Sequence, residues 1–251
     1  MLGLGHEVFA ADGATFVRNR DLPDIWEANH VTAVTAASPR KIDRLLARVE
    51  REYAGFGHRR FDLDFTTPPQ LEARLRLDGY RARDFLVMVL AGDLPARAPV
   101  VDIRPCASPG DWAAFEALAL ENWRESARRR GVAPADGIGE GLARSHRGRC
   151  PPARCWLAWD GHGPRGYLTS WEGIDGVGPV DDLFVEPGAR GRGLAAALIR
   201  CGVTQCRAAD AGPVVIVADA ADTPKDAYAR MGFGPVAVLH EYVLQVRAES
   251  H

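Results

Sequence analysis

Little in the sequence marks the chain for secretion, a membrane or nucleic acid. It has 251 residues with 31 Lys and Arg against 33 Asp and Glu, a formal charge of −2. That balance offers no basic footprint for nucleic acid, and the basic residues are spread along both halves. The opening MLGLGHEVFAADG holds no Lys or Arg and no long apolar core, so it does not read as a secretory leader. Apolar runs such as FLVMVLA at 85–91 fall far short of the roughly 20 residues that span a bilayer. The five cysteines include no C-x-x-C pair. Cys150 and Cys155 flank PPAR, and Cys201 and Cys206 share one helical stretch, so the two readings are a four-thiolate zinc site and plain buried thiols. The second reading fits a reducing compartment better, and no metal is expected. The expectation is a cytoplasmic protein with neither a nucleic-acid nor a membrane partner.

What is present is ordinary globular composition, 47% hydrophobic and 25% charged. AGDLPARAPV at 91–100 carries two prolines and a glycine between strand-like runs and reads as a linker. It separates a domain at 1–95 from one at 96–251. In the second, VVDIRPC is a strand and Ser108-Pro109 opens a helix, followed by a further helix near 137–147. CWLAWDG and RGYLTSWEG are strands joined by GHGPRG, and PVDDLFV (179–185) is another. A helix from Gly193 to about Ala209, the strand PVVIVADA, the short helix TPKDAYARM and the strand VAVLHEYVLQV complete the order β-α-α-β-β-β-α-β-α-β. The first 90 residues show a fainter β-α-β-α-β: HVTAVTAA, a helix behind Ser38, RRFDLDF, PPQLEARLRLDGY and RARDFLVMVLAG. The run from Leu75 to Gly79-Tyr80 parallels that from Tyr228 to Gly232-Phe233, which suggests an internal structural duplication.

The segment VEPGARGRGLAAALI (185–199) combines a strand end, a glycine-rich loop and a helix start. Helix N-terminal amides are unsatisfied and the dipole favours negative charge, so this is an anion site. A nucleotide P-loop fails because Leu194-Ala195 stand where lysine and a magnesium ligand are needed. Gly191, Gly193 and Ala196 spell a dinucleotide fingerprint, but five residues separate the strand from its first glycine, and too little chain follows for a doubly wound sheet. Arg190-x-x-Gly193-x-Ala195 after a strand ending V-x-P resembles the acyl-CoA pyrophosphate loop of the GNAT N-acetyltransferase superfamily. VDDLFVEPGARGRGLAAALI resembles that family's strand-loop-helix segment, and DTPKDAYARMGFGPV its closing Y-x-x-x-G-F segment. The likeness covers about 150 residues from 100 to 246.

The resemblance implies an α/β mixed sheet, mostly antiparallel and flanked by helices, with a second, partial GNAT-like domain at the N-terminus. The N-terminal copy has AASPRKID where the loop should fall, without glycine, so it is expected not to bind CoA. The implied reaction is acetyl transfer from acetyl-CoA, the acyl donor, to a small-molecule amine by direct attack, since no nucleophilic Ser or Cys motif is visible. By resemblance, Arg190, Gly191, Arg192, Gly193, Leu194 and Ala195 hold the pyrophosphate. Backbone near Phe184 and Val185 pairs with the pantetheine arm, and the Leu183 amide faces the thioester oxygen. Tyr228 takes the place of the acid that protonates the departing thiolate. Asp181 is the first choice for water-mediated deprotonation of the amine. Asp182, its neighbour on a regular strand, would point to the opposite face and anchor structure or substrate. Trp123, Glu125, His146 and Trp171 are candidate pocket residues. A non-catalytic CoA-binding sensor, and an acyltransferase for longer acyl groups or for protein amines, stay open as alternatives.

Overall fold

The computed structural model describes residues 3–95, 100–131 and 137–246. They divide into two compact units. One comprises the described residues up to Val87 with Ala218–Lys225 and those from Val236 onward; the other comprises Met88–Val217 and Asp226–Pro235.

The first unit opens with a hairpin that the sequence reading did not anticipate, β1 (Glu7–Ala11) and β2 (Ala14–Arg18), turned at Asp12-Gly13. The D-G dipeptide is its sequence signal. β3 (His30–Thr32), α1 (Pro39–Glu52), β4 (His58–Leu63), α2 (Pro69–Leu77) and β5 (Arg81–Leu90) follow. The strand read over 30–37 ends at Thr32 because Ala33 takes a φ of 49°. Ile42, Leu45 and Val49 fall on one face of α1 and enter a core with Phe16, Val31, Phe61, Leu71 and Leu75. The final strand, β11 (Gly234–Gln245), returns antiparallel to β4, pairing His240–Gln245 with Leu63–His58. Strands β1-β2-β3-β4-β11 lie in that order, with β3 and β4 parallel.

The second unit follows the element order read from the sequence: β6 (Asp102–Pro105), α3 (Pro109–Arg130), α4 (Ile138–Gly148), β7 (Arg154–Asp160), β8 (Gly163–Ser170), β9 (Gly178–Val185), α5 (Leu194–Ala208), β10 (Val214–Asp219) and α6 (Pro224–Arg230). Ser108 and Asp111 form a capping box that starts α3, each side chain taking the other's backbone amide. Strands lie in the order β10-β9-β8-β7-β6, antiparallel except β10 with β9. Trp112, Phe115 and Leu118 of α3 pack with Leu157, Tyr167 and Phe184 of the sheet. Arg200 and Arg207 of α5 donate to the carbonyls of Pro95 and Gly92, tying the start of the expected linker to that helix. Residues 96–99 of that linker lie outside the described residues.

The fold is thus mixed α/β with mostly antiparallel strands, and α2 and α6 end alike. Tyr80 N donates to Leu75 O at 3.0 Å, and Phe233 N to Tyr228 O at 3.1 Å. These are the same six-residue closure of a helix end, at the two places where the sequence runs parallel. Gly166 marks the closest approach of β8 to β9, since a Cβ there would lie 2.6 Å from the Phe184 carbonyl oxygen. Gly166→Ala should therefore cost about 2 kcal/mol of unfolding free energy in urea denaturation; full stability in the variant would contradict that packing.

Candidate active site

Across from β8, β9 is not a regular strand. Tyr167 pairs with Phe184 and Thr169 with Asp181, so Leu168 alone faces both Asp182 and Leu183. This is a bulge, and Asp182 at its centre has a φ of 54°. On its other side β9 pairs with β10 only from Gly178 to Val180, against Val214 to Ile216. From Asp181 onward the β10-facing edge of β9 has no described β10 register; in that stretch the Asp181 and Val185 carbonyls accept from the Thr169 hydroxyl and the Arg190 guanidinium. The expectation that Asp181 and Asp182 alternate is corrected here, because the bulge breaks the two-residue repeat.

Four side chains hold the bulge. The Nε2 of His146 lies 2.9 Å from Asp182 Oδ2, and the Arg149 guanidinium lies 3.5 Å from the same oxygen. The Thr169 hydroxyl is 3.0 Å from Asp182 Oδ2 and 3.2 Å from the Asp181 carbonyl. The Asp182 amide donates to Asp181 Oδ1 at 2.9 Å. Burial works to raise the Asp182 pKa, but His146, Arg149 and the hydrogen bonds from His146 and Thr169 outweigh it, and the carboxyl is held well below its ordinary range. His146 Nδ1 donates to the Leu142 carbonyl at 2.8 Å. Both ring nitrogens thus face oxygen atoms, the Leu142 carbonyl and the Asp182 carboxylate. Phe115 packs on the His146 ring at 4.9 Å and on Tyr167 at 4.6 Å, fixing the imidazole from α3.

After β9 the chain makes a short 3₁₀ turn, Pro187–Ala189, then the loop that precedes α5. Gly191 and Gly193 both lie in the left-handed region, at φ 78° and 82°, where a side chain would be strained. Among the described residues no backbone carbonyl accepts from the amides of Gly191, Arg192, Gly193, Leu194 or Ala195. They form a row of donors at a helix N-terminus, and α5 is 15 residues long. The loop arginines are already partnered. Arg190 donates to the Val185 carbonyl at 3.0 Å and to Glu125 of α3 at 2.6 Å. Arg192 lies 3.7 Å from Asp160, which also takes Arg165; Arg165 in turn pairs with Glu186 at 2.6 Å. Glu186 is half-buried.

The structure therefore brings His146 to Asp182, and Glu125 to the loop through Arg190. Leu183 is half-buried at the bulge, while Phe184 and Val185 turn buried side chains inward. Tyr228 is buried on α6 with its ring 6.3 Å from that of Phe233. Trp123 is half-buried on α3. Trp171 joins the start of β9, its amide donating to the Pro179 carbonyl, six residues from the loop end of that strand. Arg149, Thr169 and Glu121 were not singled out in the sequence. Burial and the nearby Glu186 and Glu125 raise the Glu121 pKa. Its signal was a second glutamate four residues before Glu125 on one helix. Among the described residues no cluster of three or more His, Cys, Asp or Glu is placed to hold a metal ion, and no helix is long and apolar enough to cross a membrane.

Residues 151–235 match the family model described as the acetyltransferase (GNAT) domain. No curated protein sequence matches the chain. Among solved structures, a GCN5-related N-acetyltransferase from Kribbella flavida superposes with a TM-score of 0.68 at 17% identity, covering 95% of this chain and 89% of that one. A conserved protein of unknown function from Staphylococcus epidermidis gives 0.69 at 16% identity, covering 96% and 95%. A tandem GNAT protein from the clavulanic acid biosynthesis pathway gives 0.56 at 14% identity, covering 88% and 76%. At these identities the likeness is one of fold.

The bulge cluster makes a prediction about pH. A carboxyl whose folded pKa is depressed adds stability above its unfolded value, near 4, and loses it as pH falls. Asp182→Asn should therefore cost about 3 kcal/mol near neutral pH. The gap to the native protein should narrow as urea titrations are stepped below about pH 4. A gap that does not change with pH would remove the charge from the explanation.

Proposed function

We propose, from the premise that the C-terminal half of this chain is a GNAT acetyltransferase domain, that the protein transfers an acetyl group from acetyl-CoA to the amine of a small molecule. The observation that carries this reading is the continuous path from the β9 edge, open after Val180, through the bulge at Asp182 to the row of amides ahead of α5. An extended arm ending in a diphosphate needs those two features in that order: a strand edge to pair with, then helix-terminal donors.

In this reading the amides from Gly191 to Ala195 bind the diphosphate, and backbone at Phe184 and Val185 aligns the arm. The Leu183 amide, turned by the bulge, stabilises the oxyanion that forms as the amine attacks. Asp181 takes the amine proton through water, and Tyr228 returns a proton to the departing thiolate. Asp182 is assigned a positioning role, since its carboxylate is engaged by His146, Arg149 and Thr169. Trp123 and Trp171 remain candidates for the acceptor side. The N-terminal half, without a glycine loop, shapes the protein without binding CoA. A reducing cytoplasm is the compartment this reading implies.

Release of free CoA from acetyl-CoA over a panel of aminoglycosides, polyamines, amino acids and peptides tests the activity. Turnover with at least one small amine is expected, and failure to bind any acyl-CoA in a thermal-shift assay would overturn the reading. Tyr228→Phe should lower kcat roughly 100-fold with the KM for acetyl-CoA largely kept; unchanged kcat would remove Tyr228 from the acid role.

A further inference from the structure

We propose that Cys150 and Cys155 are a reversible dithiol–disulfide pair, a modification site coupled through the adjacent Arg149 to the carboxylate of Asp182. Their Sγ atoms lie 3.7 Å apart, close enough that a modest movement would bring them to the bonded separation of about 2.0 Å. Cys150 ends the turn of chain after α4 and is half-buried; Cys155 is buried in β7. The Ala153 amide donates to the Arg149 carbonyl at 3.0 Å and closes the short connection between them.

The two thiols are not equivalent. The hydrogen bond from Cys155 lowers the Cys150 pKa, and Arg149 adds to this against the effect of burial. The same hydrogen bond and burial push the Cys155 thiol up. Cys150 is thus the attacking sulfur and Cys155 the resolving one. Burial pushes Cys106 up to about 12 and Cys206 up to about 11, and raises Cys201, so the other three thiols are poor nucleophiles.

The oxidant is a hydroperoxide. The Cys150 thiolate attacks one peroxide oxygen, the O–O bond breaks, and a sulfenic acid results with an alkoxide leaving, or hydroxide when the oxidant is hydrogen peroxide. The Cys155 sulfur then bonds to the Cys150 sulfur and displaces the sulfenic acid's hydroxyl as hydroxide, and the Cys155 proton completes a water. Both thiols are oxidised, the peroxide takes the electron pair, and a dithiol reductant reverses the change by exchange. Disulfides of this transient kind are the ones found in reducing compartments. Bond formation draws Cys150 toward β7 and with it Arg149, loosening the hold on Asp182 at the bulge. That consequence for turnover rests on the acetyl-transfer reading; the disulfide itself does not.

The test uses the full chain, reduced, then treated with hydrogen peroxide, alkylated and digested with trypsin without reductant. Cleavage after Arg149, Arg154 and Arg165 places the two cysteines on separate peptides, 150–154 and 155–165. A linked pair of these peptides that separates on reduction is expected, at peroxide levels where Cys106, Cys201 and Cys206 still alkylate. Cys150→Ser should abolish the linked species, and Cys155→Ser should leave a sulfenic acid on Cys150 that a dimedone probe labels. Cys150 and Cys155 both remaining alkylatable, or oxidation spread evenly over all five thiols, would overturn the proposal. After removal of peroxide, CoA release by the oxidised protein should be lower by roughly 10- to 100-fold and recover on reduction, with Cys150→Ser insensitive. Full turnover in the mapped disulfide form would overturn the coupling. Absence of CoA release from the reduced protein would count against the acetyl-transfer reading, leaving the peptide map to decide the disulfide.

Discussion

The carboxylate of Asp182 is the constraint on which the rest of the site depends. It sits on a strand residue at φ 54°, a conformation that costs a residue with a Cβ roughly 1–2 kcal/mol. Strain of that size persists only where surroundings over-determine it. His146, Arg149 and Thr169 do so by converging on one carboxylate from α4, the turn after it and β8. With the kink fixed, β9 faces β8 with two residues against one and has no described pairing with β10 beyond Val180. The open edge and the direction in which the chain enters the glycine loop both follow.

Helices α3 and α4 are the frame that makes this arrangement rigid. Phe115, fully buried, touches both the His146 and Tyr167 rings, and Asn122 of α3 donates to the Tyr167 hydroxyl at 2.8 Å. Polar clusters in a low-dielectric interior are strong when every member is partnered and costly when one is not. The same α3 also supplies Glu125 to Arg190, so one helix braces the bulge at one point and the loop at another.

Much of this architecture was legible in the sequence, for reasons that are local. The order of elements from 102 to 245 follows from apolar periodicity punctuated by Gly and Pro, and the loop ahead of α5 from Gly191 and Gly193. The missed features are tertiary or hidden in ordinary patterns. VDDLFV reads as a regular strand, and nothing within it announces a bulge; the partner that stabilises Asp182 is 36 residues away at His146. Arg149 looks like any arginine at a helix end. The β1–β2 hairpin was missed although Asp12-Gly13 signalled it, because VFAAD is short and carries a weak alternation. The pairing of Glu125 with Arg190, 65 residues on, likewise has no local signal.

The ion pairs around the loop change what its arginines contribute. A polyanion reaching Arg190 and Arg192 must replace Glu125 and Asp160, which already neutralise them. Exposed pairs of this kind are worth at most about 1 kcal/mol, so exchanging one anion for another changes little in either direction. Among the described residues no backbone carbonyl accepts from the amides of Gly191 to Ala195, and their orientation is set by the left-handed glycines before the helix. In the acetyl-transfer reading, the attraction for a diphosphate would therefore reside in the backbone and the α5 dipole, and it would depend on Gly191 and Gly193 keeping their left-handed conformation. Arg190 and Arg192 stand beside that row with their charges already balanced by Glu125 and Asp160, so in this reading an anion site needs no basic patch in a chain of net charge −2.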